Sequence, residues 1–148
     1  MKAPLQHELN DALASVLVDL QQATDQLLVV LEAERAALDS ASVEALDQAG
    51  TQKQALMQQL EQLDAERQLL CREQPARQAA LEMEWQHVMQ SLRQCRTLNL
   101  RNGRAVNQRL THVRQALAIL TGHTGDSELY GRSGELHASL RSQVLAAA

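Results

Sequence analysis

LEMEWQHVMQSLRQCRTLNLRNGRAVNQRLTHVRQALAILTG, residues 81 to 122, is the stretch that decides the fold. Its stripe positions are Leu81, Trp85, Val88, Leu92, Cys95, Asn99, Asn102, Val106, Leu110, Val113, Leu117 and Leu120. They recur in steps of three and four, which stack side chains on one face of a long helix. Gly122 is the natural stop, because a helix commonly closes on a glycine in the left-handed conformation.

Working outward, two more helices are expected upstream. From Leu5 the apolar positions run through Leu9, Leu13, Val16, Leu20, Leu27, Leu31 and Leu38 with mostly the same spacing. Pro4 suits a first helical turn, and Asp39, Ser40 and Ser42 break the pattern and offer an N-cap for the next helix. That second helix carries Val43, Leu46, Leu56, Leu60, Leu63 and Leu70, with Lys53 and Arg67 intruding on the seam and Gly50 weakening it. Pro75 ends it and starts the third. The expected helices cover about residues 5–39, 43–72 and 76–121, an all-α, antiparallel, coiled-coil-like three-helix bundle within 1–121. A flexible tail, 122–148, follows, with a short amphipathic helix at 135–145 marked by Leu136, Leu140 and Val144.

Helix lengths in this reading do not match. The second helix can accompany the third only to about residue 105, since both advance ~1.5 Å per residue. Residues 106 to 121 therefore overhang, with Val106, Leu110, Val113, Leu117 and Leu120 on one face. Such a patch rarely stays bare in a monomer, so the tail, a second copy or a different protein covers it.

Composition agrees with a helical bundle. Among 148 residues there is no Phe, one Trp and one Tyr, so the core must be aliphatic. The N-terminal MKAPLQHELND is too polar for a signal peptide, and the longest strongly apolar run, LLVVL at 27 to 31, is far short of the ~18 residues of a membrane span. A soluble cytoplasmic protein without membrane insertion is expected. Cys71 and Cys95 fall ~25 Å apart along the hairpin at ~1.5 Å per residue, too far for a disulfide, so reduced thiols are expected.

Residues 1 to 50 hold two Lys or Arg against nine Asp or Glu, whereas residues 91 to 148 hold eight against three. Arg93, Arg101 and Arg104 point away from the stripe, with Arg96 at its edge. Their simplest role is a solvated face near an acidic first helix; an acidic partner or nucleic acid is the sharper one. Nucleic-acid binding is not expected, because the net charge is −4 and the only Trp lies on the core stripe. His7, His87, His112, His123 and His137 are scattered, so no metal site is expected, and no cofactor. Neither cysteine has a base at catalytic spacing, and GRSG at 131 to 134 lacks the preceding strand and the lysine of a phosphate loop. The chain does not read as an enzyme. Asn99 and Asn102 are polar members of the long stripe; they either pair with polar seam residues of helix 2 and fix register, or contact a partner.

The order of several segments resembles the flagellar export chaperone family FlgN. These are LLVVLEAERAALDS with VEAL (27 to 46), KQALMQQLEQLDAERQLL (53 to 70), Trp85, CRTLNLRNG (95 to 103), RQALAILTG (114 to 122) and LYGRSG (129 to 134). The resemblance covers nearly the whole chain. It implies a cytosolic chaperone of flagellar type III secretion that holds the C-terminal helical segments of hook-associated proteins, those of the hook-filament junction, and prevents their premature polymerisation. It further implies delivery to the cytoplasmic domain of the export gate, with Leu129, Tyr130 and Gly131 as the docking segment, and neither catalysis nor a cofactor. From the residues alone, Tyr130 serves equally as a clasp packing the tail on the bundle. Client binding is expected at Val106, Leu110, Val113, Leu117 and Leu120, since an unpaired apolar helix face suits an amphipathic partner helix. The alternative is a structural coiled-coil protein that self-associates, as a homodimer for example, through the third helix.

Overall fold

The computed structural model describes residues 3–122. They form α1 (Ala3–Ser40), α2 (Val43–Glu73), α3 (Pro75–Ala80) and α4 (Glu82–Leu120), an all-α bundle with no strand among the described residues. The tail segment Leu129, Tyr130 and Gly131 and the expected helix at 135–145 lie outside the described residues.

Local chemistry explains the ends. α1 closes through Ala41, a non-glycine at φ 54°, whose N–H donates to the Leu38 carbonyl at 3.4 Å while the Ser42 N–H donates to Ala37 at 3.1 Å. Ser42 then caps α2: its backbone is extended and its hydroxyl accepts from the Ala45 N–H at 3.3 Å. Glu44 in the first turn and Arg72 in the last both complement the helix dipole. The Gln74 N–H still bonds the Leu70 carbonyl at 3.0 Å, but Pro75 has no N–H to continue the ladder, and α3 starts there. At the far end Gly122 adopts φ 68° and its N–H reaches the Ile119 carbonyl at 3.4 Å.

One expectation changes. The single helix expected from 76 to 121 is two, α3 and α4, separated at Leu81. Leu81 has φ −104° and ψ 18°, and its N–H is shared between the carbonyls of Arg77 and Gln78 at 3.1 and 3.2 Å. Leu81 is buried in the core, and the sequence periodicity continues through it, so spacing alone does not mark the break.

Two aliphatic clusters hold the bundle. One joins Leu13, Val16, Leu17 and Leu20 of α1 to Leu70, Leu81 and Val88, with Trp85 and Leu92 packed against it. The other joins Leu27, Val30 and Leu31 to Ala49, Leu56 and Cys95. Leu60 packs against both, which makes the core continuous along α2. Burying each such side chain contributes roughly 1.5–3 kcal/mol.

The chain divides into two compact units, Met1–Asn102 and Gly103–Ala148. Both clusters belong to the first. The described part of the second is the helical stretch from Gly103 to Leu120 and the turn at Thr121 and Gly122.

Candidate functional site

In the second unit, four of the five residues expected to bind a client are exposed. Leu110 is 39% exposed, Val113 55%, Leu117 54% and Leu120 82%, whereas Val106 is half-buried. Ile119, not singled out from the sequence, is 72% exposed beside them. Isolated exposed leucines are ordinary, but here they recur at helical spacing and form one contiguous apolar stripe.

The first unit holds a groove of about 580 Å³ between α2 and α4. Leu20, Leu27 and Leu31 of α1 form its floor. Met57 and Leu60 line one wall, and Trp85, Met89 and Leu92 the other. Its rim is polar, with Lys53, Glu61, Asp64 and Arg67 on α2 and Arg96 and Asn99 on α4. Sequence reasoning missed this groove. The signal available was the intrusion of Lys53 and Arg67 on the α2 seam, together with methionines at 57 and 89, which suit an adaptable apolar surface.

Both intruding cations have partners. Lys53 Nζ lies 2.9 Å from Glu34 Oε2 and donates to Asn99 Oδ1 at 3.2 Å. The Glu34 and Lys53 side chains are only 8% and 12% exposed, so this ion pair is internal. Arg67 Nε donates to Asp64 at 2.8 Å, and its guanidinium sits 3.8 Å from the centre of the Trp85 ring.

The two asparagines part company. Asn99 pairs with Lys53, a polar seam residue of helix 2, as the register reading expects. Asn102 bonds α1 instead: it is fully buried, and its Nδ2 donates to the Leu31 carbonyl at 2.9 Å. Its Oδ1 has no hydrogen-bond partner among the described residues, a desolvation cost of about 1–3 kcal/mol. Cys71 and Cys95 are both free. Burial, reinforced by the Asp25 charge, pushes the Cys95 thiol above its ordinary pKa, so it is held as an unreactive packing group whose Sγ contacts the Thr24 carbonyl at 3.6 Å.

Arg93, Arg96, Arg101 and Arg104 are all exposed. Among the described residues no three His, Cys, Asp or Glu side chains gather as metal ligands, and no helix is long and apolar enough to cross a membrane.

A helical bundle with an exposed apolar helix face and a methionine-walled groove belongs to the class of scaffolds suited to holding helical segments of other chains. A family model described as FlgN protein matches residues 1–138, and the chain belongs to the FlgN family, a family of flagellar export chaperones. No curated protein and no solved structure matches it.

Proposed function

We propose that the chain is a cytosolic chaperone for hook-associated flagellar proteins, whose C-terminal helical segments it holds on the face formed by Val106, Leu110, Val113, Leu117 and Leu120. The observation that carries this reading is the exposure of that apolar stripe on a chain of a flagellar export chaperone family. A client segment that folds on binding loses part of its interaction energy to ordering, so the complex is specific and still releasable. Covering the segments through which such clients polymerise keeps them apart until export.

Changing Leu110 and Leu117 together to Asp should abolish client binding, measured by calorimetry, with helical circular dichroism retained. Both residues are exposed, so little packing is lost. Collapse of the fold along with binding would make the stripe internal core and end this reading.

Delivery to the export gate is assigned to Leu129, Tyr130 and Gly131. A tyrosine gives a rigid amphipathic anchor, and a few such residues often dominate an interface. Tyr130→Ala should leave client affinity and Tm nearly unchanged while weakening the hold of the chaperone-client complex on the cytoplasmic domain of the gate. A clear fall in Tm with gate binding intact would make Tyr130 a clasp.

A further inference from the structure

α4 carries a second heptad line on the side away from the core. Met83, Gln86, Gln90, Arg93, Thr97 and Leu100 follow one another in alternating steps of three and four, and every one of them is exposed. The buried residues Val88, Cys95 and Asn102 lie on the opposite side of the helix at about 100° per residue. The outer line falls wholly within the first unit. Its two ends are apolar, with Met83 74% and Leu100 54% exposed, and its charge comes from Arg93 and from Arg101, one turn after Thr97.

That charge is unanswered within the chain. Arg35, Lys53 and Arg67 each face a carboxylate, but Arg93 and Arg101 make no ion pair among the described residues, and no acid occurs in the sequence between Glu84 and Asp126.

We propose that this outer face of α4 docks an acidic amphipathic helix of another protein, which lays apolar residues on Met83 and Leu100 and carboxylates on Arg93 and Arg101. The recognition is helix against helix, with the seam spacing setting the register and the arginines choosing the partner.

Spacing and charge together select this occupant. From Met83 to Leu100 the face is about 25 Å long at ~1.5 Å per residue, enough for about five turns of a partner helix. A guanidinium holds a carboxylate through two parallel hydrogen bonds, so an arginine on a seam favours an acidic chain. A second copy of the same face would set Arg93 against like charge, which argues for a different chain. Nucleic acid and anionic lipid are disfavoured, because the net charge is −4 and residues 1 to 50 alone hold nine acids against two bases, a field that repels a polyanion. The two apolar ends also call for side chains that neither of those offers.

The test is fluorescence anisotropy with a labelled synthetic helical peptide about three heptads long, bearing leucines at both ends of one face and glutamates between them. Its lysine counterpart and a short DNA duplex serve as comparisons. The full chain should bind the glutamate peptide, more weakly as salt is raised, and should leave the lysine peptide free. Arg93→Glu with Arg101→Glu should weaken binding at least about tenfold, and Met83→Ser with Leu100→Ser by a similar factor. All four positions are exposed, so helical circular dichroism should be retained, and Arg93→Gln with Arg101→Gln gives a second, milder reading of the same contact. Leu110→Asp with Leu117→Asp should leave this binding unchanged, which separates the site from the client stripe. The proposal is overturned if the glutamate peptide stays free up to roughly 100 µM, if glutamate and lysine peptides bind alike, or if the folded arginine variants bind as wild type does. Tighter binding of the duplex than of the peptide at about 150 mM salt would assign the face to nucleic acid and equally overturn it.

Discussion

Replacing Lys53 by Met is expected to destabilise the bundle by about 3–5 kcal/mol, because it leaves the Glu34 carboxylate inside the core without its cation. Glu34 is 6% exposed and follows one helical turn after Val30 and Leu31, both members of the second core cluster, so water cannot readily replace the ammonium. The same substitution deprives Asn99 Oδ1 of its bond from Lys53. Chemical denaturation of the single variant measures the loss. The double variant, Glu34→Leu with Lys53→Met, should recover most of it, since replacing both members of an internal pair by apolar groups is often neutral or stabilising. A single variant within about 0.5 kcal/mol of wild type would mean that the pair is solvated in solution.

Leu31→Ala should cost about 3 kcal/mol and lower Tm by roughly 10 °C. Leu31 is 1% exposed, belongs to the second core cluster and forms part of the groove floor. Truncating it removes buried apolar surface from a place where close-packed neighbours can only partly relax. Leu120→Ala is the control: with 82% of Leu120 exposed, thermal unfolding should move by no more than the change expected of a surface site, about 0.5 kcal/mol. Equal losses at the two positions would show that the far end of α4 is packed in solution.

Periodicity made the helices legible because the stripe of α1 really is its buried face, although only two of six stripe positions in α2 and four of twelve in the long third stripe are buried. Leu13, Val16, Leu20, Leu27, Leu31 and Leu38 all emerge in the core of α1, and Ser42, Pro75 and Gly122 act through backbone chemistry that depends only on their own residue type. The break at Leu81 was not legible, because a residue can leave helical geometry while keeping its place in the hydrophobic stripe. Nor was the groove, which depends on how far α2 and α4 stand apart rather than on either pattern alone. Lys53 looked like a flaw in the α2 seam because its partner, Glu34, is on α1, and sequence spacing within one helix cannot reveal an ion pair between two. Asn102 was visible as an odd polar position, but its bond to a backbone carbonyl of α1 needed the packed helices.

Trp85 gives the molecule an intrinsic optical label. It is the only tryptophan in a chain with a single tyrosine and no phenylalanine, so selective excitation of indole reports on one ring. That ring walls the groove and lies under the Arg67 guanidinium, where its surroundings are part apolar and part cationic. Anything that enters beside it changes local polarity and the stacking of the guanidinium together, and both alter the emission. The occupancy of this surface can therefore be followed by fluorescence on the unlabelled native chain, with no dye to perturb the helices.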